Sequence, residues 1–221
     1  MIVLETVSIC ETARYMGVKG DPDDNVLRLI EKADSTARKI ILPKYVYRVS
    51  GVEILSGGVE LSDCGVFLSG NDIKMHLEGC GKAVIFAATL SAEADKLIRR
   101  AEVTDMAEAL AMDCVCSSLI EQFCDKAEEE IFREVDAAYR TWRFSPGYGD
   151  LPISVQEKLL IALNAQRRIG LTVTPENIMI PSKSVTAVIG ISEVPVRKRA
   201  GKCEFCNMRG KCAFSAQCQN E

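Results

Sequence analysis

KAVIFAA, residues 82–88, is a continuous apolar run of strand length. Such a run is typical of a central, buried strand, because a half-exposed strand would alternate apolar with polar residues. Short β-like segments punctuated by glycine precede it between Tyr45 and Leu68, and we expect two to four strands there. A further β-rich segment, SVTAVIGI, occupies residues 184–191. Together these segments predict one twisted, mostly antiparallel sheet.

Helical periodicity fills much of the remaining chain. Apolar residues recur every three or four positions from Asp105 to about Val135, which predicts a long helix or a helix pair. A single helix of that length would extend about 45 Å. Shorter helices are predicted to begin near Asp24, Ser69, Ser91 and Ser154, at residues that favour helix N-termini. The predicted fold class is therefore α+β, with one long helix and a cysteine-rich C-terminal tail.

Composition excludes several classes of protein. The 221 residues are 48% hydrophobic and 26% charged, which is ordinary for a globular protein, and the net charge of −4 argues against a nucleic-acid-binding surface. The N-terminal stretch lacks a basic segment followed by an apolar run, and no apolar run approaches the length of a membrane span. We therefore expect a cytoplasmic protein, whose ten cysteines are thiols or metal ligands rather than disulfides.

An irregular loop, RFSPGYGD at residues 143–150, carries the residues best suited to hold a small ligand. Pro146 fixes one φ angle, while Gly147 permits a positive φ and close approach by a ligand. Arg143 offers a planar fork for a carboxylate, and Tyr148 offers a ring and a hydroxyl. The residues alone also fit a structural turn between two helices, with the arginine in a surface ion pair.

The stretch RFSPGYGDLPISVQEKLL, residues 143–160, resembles the loop and following helix of the activation domain of cobalamin-dependent methionine synthase. A second stretch resembles the same family: IGLT at residues 169–172, then Met179, then PSKSVT at residues 181–186. The long predicted helix lies where the family has one. The resemblance covers roughly residues 79–191 and implies a domain at 1–195, followed by a separate tail at 196–221.

The resemblance implies a binding site for S-adenosylmethionine, with the arginine of the loop on the ligand carboxylate and the tyrosine near the ligand and the corrin. The implied cofactor-binding residues are Arg143, Ser145, Pro146, Gly147, Tyr148, Ser184, Glu121 and Ser117. The family has an acidic ligand-binding position on its long helix, which falls near Ser117 in this chain, with Glu121 one turn later. Asp113 is a further candidate for that acidic position. The chain departs from the family at Val188-Ile189, where an aromatic pair is expected. No catalytic residue is implied, and we interpret His76 as a surface or capping histidine.

In such a synthase, cobalamin that has been oxidised is rescued by one electron and one methyl group together. The resemblance therefore implies that this chain supports reductive methylation of the cobalamin held by a separate methionine synthase chain, with an electron donor as a further partner. Its role would be positioning rather than acid–base chemistry. Two alternatives remain: a metal-containing electron-transfer partner of another corrinoid methyltransferase, and a non-catalytic module that only docks on a corrinoid domain.

The tail contains the second feature that indicates chemistry. Four cysteines lie within sixteen residues, in the spacing C-x2-C-x5-C-x5-C, at Cys203, Cys206, Cys212 and Cys218. Two thiolates from a C-x-x-C unit and two more complete a tetrahedral set, which predicts a metal site. Zinc and an iron–sulfur cluster are both compatible with this spacing. The cluster is favoured here because reductive methylation requires an electron.

Overall fold

A six-stranded sheet runs through the structure, a computed structural model that describes residues 2–196. The eight strands are β1 (Lys44–Leu55), β2 (Gly58–Leu61), β3 (Val66–Ser69), β4 (Lys82–Thr89), β5 (Tyr139–Arg140), β6 (Thr172–Val173), β7 (Met179–Ile180) and β8 (Ser184–Ser192). The sheet has the order β3-β2-β1-β4-β8-β5, and β6 and β7 form a separate hairpin. Every adjoining pair in the sheet is antiparallel, which confirms the predicted α+β fold with an antiparallel sheet.

Strand β4 lies between β1 and β8, in the middle of the sheet, and this position explains its apolar sequence. Val84 and Phe86 belong to the core on one face of the sheet, and Ala83 and Ile85 belong to the core on the other. All four are fully buried. Because helices cover both faces, both sets of alternating side chains lose contact with water, and the positions from Ala83 to Ala88 favour apolar residues.

Four helices cover the first face: α1 (Ile9–Tyr15), α2 (Asp24–Ile40), α4 (Ala92–Thr104) and α5 (Met106–Glu134). The predicted long helix is α5, a single helix of 29 residues and about 44 Å. Its N-terminus is capped by Asp105, whose carboxylate accepts a hydrogen bond from the amide of Ala107 at 2.7 Å. Leu119 and Phe123 are among its residues in the core against the sheet.

Three shorter helices cover the other face: α3 (Asn71–Leu77), α6 (Val155–Leu163) and α7 (Ala165–Ile169). The sequence predicts one helix from Ser154 to Arg168, and the structure divides it at Asn164. This residue is left-handed, with φ 51° and ψ 41°, so helical hydrogen bonding is interrupted there.

Ser91 and Ser154 are the N-cap residues of α4 and α6, but neither side chain forms the predicted capping hydrogen bond, and the N-cap of α3 is Gly70 rather than Ser69. Ser154 already has helical dihedrals, φ −63° and ψ −16°, and therefore cannot cap α6 from an extended conformation. Ser91 has φ 74°, and its hydroxyl accepts a hydrogen bond from the amide of Leu42 at 3.3 Å. Ser69 is replaced in its role by Asp150, whose carboxylate accepts from the first amides of α3.

The interpretation of His76 as a surface or capping residue is also wrong. The imidazole is buried on the face of the sheet that α3, α6 and α7 cover, and His76 is 6% exposed. Its Nε2 is 2.8 Å from the Thr141 hydroxyl, and its ring packs edge-on against Trp142 with centroids 4.6 Å apart. Burial lowers the pKa of His76 to about 4, so the ring is uncharged at neutral pH.

Candidate ligand site

The loop RFSPGYGD connects α5 and α6 and is anchored on the edge of the sheet. Phe144 forms a two-way backbone bridge with Val188 of β8, with N···O distances of 3.0 and 2.8 Å. A tight turn follows, because the amide of Tyr148 donates to the carbonyl of Ser145 at 3.0 Å. Gly147 adopts φ +89°, a conformation that glycine alone adopts at little cost. These backbone hydrogen bonds define the path of the loop.

A cavity of about 820 Å³ opens beside this loop. Its walls come from the N-terminal segment with α1, from α5, from the loop, from α6, and from β7 and β8. The lining residues are Thr6, Val7, Ser8, Glu11, Tyr15, Ser118, Glu121, Gln122, Asp125, Arg143, Ser145, Pro146, Tyr148, Ile153, Gln156, Met179, Ser184, Val185 and Thr186. The volume lies within the range of about 300–1,000 Å³ that is usual for small-molecule sites.

Arg143 is the cation of this cavity, and carboxylates of α5 surround it. Its guanidinium lies 2.7 Å from Asp125, 3.0 Å from Glu128 and 3.2 Å from Glu121. These acids are three to seven residues apart, so a helix places them along one side. Burial acts to lower the pKa of Arg143, but the surrounding negative charge outweighs it and raises that pKa, so the group stays protonated.

The buried member of this acidic cluster is Glu128, whose side chain is 15% exposed. Burial raises its pKa above the ordinary value, and attraction to Arg143 and Arg140 opposes the rise. Asp125 and Glu121 are 69% and 55% exposed and lie closer to solvent. The arginine is thus tied to one buried carboxylate and two exposed ones.

The N-terminal part of the chain supplies a second acidic group to the cavity wall. Glu11 accepts a hydrogen bond from the Tyr15 hydroxyl at 3.2 Å. Burial, followed by the charge of Glu11, raises the pKa of Tyr15, so the phenol remains a donor. The segment before α1 is fixed by Gln122, whose side-chain oxygen accepts from the amide of Glu5 at 2.7 Å.

Comparisons with known proteins identify the family of this chain. Residues 83–194 match the family described as the activation domain of vitamin B12-dependent methionine synthase. The chain belongs to this family. Comparison with curated proteins gave no match.

The crystal structure of the MetH reactivation domain bound to AdoHcy is similar to this activation domain. The TM-score is 0.62, at 16% sequence identity, over 86% of this chain and 77% of the other. At this identity the likeness establishes a shared fold. The overlap of 86% exceeds the half of the chain that the family match covers, so the shared fold extends beyond residues 83–194.

Most of the residues predicted for ligand binding meet at one place in this activation domain. Six of the eight line the cavity: Arg143, Ser145, Pro146, Tyr148, Ser184 and Glu121. Gly147 shapes the turn without being part of the lining. Ser117 faces another direction, since its hydroxyl lies 2.9 Å from Lys183 Nζ, and the same lysine pairs with Asp113 at 2.8 Å. Ser118, the next residue, lines the cavity instead.

Sequence analysis did not predict several of the residues that line the cavity. Gln156 of α6 is buried, and its side chain bridges the hairpin and the sheet through Asn177 and Thr186, each at 3.2 Å. Glu11 and Tyr15 were missed because they precede the recognisable motifs. Buried polar side chains on short helices are a usable signal, but only when the fold shows which face is enclosed.

The predicted metal ligands Cys203, Cys206, Cys212 and Cys218 lie outside the described residues. Within residues 2–196, no group of three or more histidine, cysteine or acidic side chains is arranged to hold a metal ion. Six cysteines of that range are free thiols, and burial raises the pKa of Cys116 to about 12. None of the helices described in residues 2–196 is long and apolar enough to cross a membrane.

Proposed function

We propose that this activation domain binds S-adenosylmethionine in the cavity beside the loop and presents its methyl group to the cobalamin of a separate methionine synthase chain. The observation that carries the proposal is the meeting of Arg143, Ser145 and Tyr148 with the acidic side of α5 in one cavity. The related reactivation domain was crystallised with AdoHcy, which is S-adenosylmethionine after loss of that methyl group.

The charge of the cavity suits this ligand. Glu11, Glu121 and Asp125 contribute three carboxylates to the lining, against the single guanidinium of Arg143, which leaves two negative charges in excess. S-adenosylmethionine carries an ammonium and a sulfonium against one carboxylate and is a cation. AdoHcy lacks the sulfonium charge and gains less from the same wall. Complementary charge therefore favours the methyl donor over its product.

Arg143 can hold the ligand carboxylate if that group joins or replaces an exposed partner. Exposed ion pairs such as those to Asp125 and Glu121 contribute roughly 0–1 kcal/mol each, so exchange of one of them costs little. The pair with buried Glu128 remains and fixes the orientation of the guanidinium. The binding role implied by the resemblance is thus compatible with an arginine that is already paired.

Positioning is the contribution of the protein to the reaction. Bound S-adenosylmethionine supplies the methyl group, and a reductant outside the described residues supplies one electron. Pro146 forms part of the cavity wall, and Tyr148, which also lines the cavity, is 54% exposed and so accessible to a cobalamin-bearing partner. Holding both reactants in a fixed geometry lowers the entropic part of the barrier.

Calorimetric titration of the whole chain with S-adenosylmethionine, compared with AdoHcy, tests the proposal. We expect saturable binding, tighter for the methyl donor. Arg143→Ala should weaken binding by about 2 kcal/mol, or about 30-fold, through loss of a charge-assisted pair. Arg133→Ala is the matched control, because Arg133 also pairs with an acid of α5 but is 76% exposed. Absence of saturable binding to the folded chain would contradict the proposal.

The tail supports a second candidate function. We propose the division into a domain at 1–195 and a tail at 196–221 whose four cysteines hold an iron–sulfur cluster or zinc. The same cysteines would also suit the alternative of an electron-transfer partner of another corrinoid methyltransferase. A chain that contains iron and labile sulfide but does not bind S-adenosylmethionine would favour that alternative. A chain with neither property would favour a docking module.

A further inference from the structure

Helix α3 contacts the ligand loop at its N-terminus through reciprocal hydrogen bonds. The Asp150 carboxylate accepts from the amides of Asn71 and Asp72, at 2.7 and 3.0 Å. In return, the Asp72 carboxylate accepts from the amide of Asp150 at 3.1 Å. The two segments touch so closely that a Cβ on Gly149 would lie 2.1 Å from the Asp72 carboxylate. This arrangement is a capping box built from two distant parts of the chain.

The C-terminal turn of the same helix contacts the other end of the loop. His76 Nε2 lies 2.8 Å from the hydroxyl of Thr141, which also accepts a hydrogen bond from the amide of Gly190 at 2.7 Å. The imidazole packs against Trp142 and Phe144, with ring centroids 4.6 and 4.9 Å apart. The start of the loop is therefore held between α3 and β8.

These contacts lead to the cavity. The ring of Phe144, which packs on His76, meets the ring of Tyr148 edge-on at 6.1 Å between centroids. Tyr148 lines the cavity. Displacement of α3 would therefore disturb the packing of His76 on Phe144 and of Phe144 on Tyr148. It would also break the hydrogen bonds that hold Asp150.

We propose that α3 is a clamp that positions the ligand loop, with Asp72, His76 and Asp150 as its positioning residues. Neither end of α3 is among the residues that line the cavity, so the clamp acts through the loop and not on the ligand. The helix also precedes residues 83–194, the part of the chain that matches the family. The ligand readout rests on the proposed function, whereas the position of the loop can be measured without any ligand.

Trp142 makes the position of the loop directly measurable. It is the only tryptophan of the chain, and it packs against His76 at the anchored end of the loop. Acrylamide quenching of its fluorescence in the ligand-free chain should increase about twofold or more in Asp150→Ala, because loss of the cap frees the loop on the order of tenfold more often. Asp150→Asn should lie between wild type and Asp150→Ala, since asparagine has one acceptor oxygen and keeps only one of the two hydrogen bonds that the carboxylate accepts through separate oxygens. Asp21→Asn, at an exposed site far along the chain, is the control.

Titration with S-adenosylmethionine then tests the functional consequence. We expect affinity to fall about fivefold in Asp150→Ala, to fall less in Asp150→Asn, which keeps one of the two capping hydrogen bonds, and to be unchanged in Asp21→Asn. Thr141→Val should loosen Trp142 in the same way, and Thr141→Ser should not, because only serine keeps the hydroxyl that links His76 to β8. Circular dichroism establishes that each variant is folded.

The outcomes separate this inference from the proposed function. If wild type fails to bind S-adenosylmethionine, the proposed function fails, while Trp142 quenching still decides the clamp. Unchanged quenching in both Asp150→Ala and Thr141→Val would overturn the clamp whatever the affinity. Equal damage in Asp150→Ala and Asp150→Asn would overturn the capping mechanism. Increased quenching with unchanged affinity would show that the loop is held by α3 but that its position is not used in binding.

Discussion

Replacing Arg143 with alanine leaves the Glu128 carboxylate partly enclosed without its nearest cation. In the structure the two side chains are 17% and 15% exposed, and their charged groups are 3.0 Å apart. Arg140 also reaches Glu128, at 3.3 Å, and would remain in the variant. The perturbation therefore removes the better of two cations from a mostly buried acid.

The magnitude follows from burial. Removing one partner of a fully buried ion pair costs about 3–5 kcal/mol, and both the partial exposure of Arg143 and Glu128 and the second cation, Arg140, reduce that cost. The exposed pairs to Asp125 and Glu121 add at most roughly 1 kcal/mol each. We expect Arg143→Ala to lower the free energy of unfolding by about 3 kcal/mol at pH 7.5.

The loss should depend on pH with a definite sign. Burial raises the pKa of Glu128 above its unfolded value, and removal of Arg143 takes away a charge that opposes this rise. A carboxyl with a raised folded-state pKa destabilises the fold when it ionises, and that destabilisation disappears as pH falls through the folded-state pKa. The difference between variant and wild type should therefore shrink between pH 7.5 and pH 5.

Urea denaturation followed by circular dichroism measures these free energies without relying on Trp142, which adjoins the mutated residue. Arg133→Ala, which breaks an exposed pair of 3.7 Å on the same helix, should cost less than about 0.5 kcal/mol. The reasoning is refuted if Arg143→Ala is no more destabilising than this control, or if its deficit stays constant or grows as the pH is lowered.

Two further predictions concern the loop and the tail. Gly149→Ala should destabilise the chain by about 2–3 kcal/mol in urea denaturation, since Gly149 has φ +53° and a Cβ would displace the Asp72 cap. Gly65→Ala, at a glycine with φ +61° and open space around it, should cost only about 1–2 kcal/mol. If both variants lose the same free energy of unfolding, the clash of a Cβ at Gly149 with Asp72 does not contribute. Anaerobically purified chain should contain iron and acid-labile sulfide that are lost in Cys203→Ser with Cys206→Ser; zinc alone, or no metal, would contradict the cluster.

Regular elements with strong periodicity could be predicted from sequence. The apolar run at residues 82–88 forms the central strand, and the helical periodicity from Asp105 to Val135 corresponds to α5. Burial within a sheet or against it requires these local patterns, so they can be recognised from the sequence alone. Helix ends were predicted less well. The cap of α3 comes from Asp150, some eighty residues away along the chain, and a local rule has no access to such a partner.

The ligand loop was identified from its residues and their resemblance to a family, and its cavity was not. Arg143 could be assigned a role from its chemistry, but its three acidic partners depend on the way α5 passes beside the loop. Ser117 was selected because the resemblance places the family's acidic position near it, and a resemblance in sequence does not fix the rotation of a helix to within one residue. One position along an α-helix turns a side chain by about 100°, enough to exchange the cavity for the neighbouring lysine.

By itself, the sequence determined which segments must be buried, since apolar periodicity reflects a free energy of transfer that each residue carries with it. It also allowed the loop at residues 143–150 to be predicted as the part of the chain best suited to hold a small ligand. Only the tertiary structure decided that the N-terminal segment closes the cavity, that His76 is buried, and that α3 holds the loop at both ends. Those features depend on groups that folding brings together. Their interaction energies depend on distances between residues that are far apart in the sequence, and such distances cannot be read from the sequence alone.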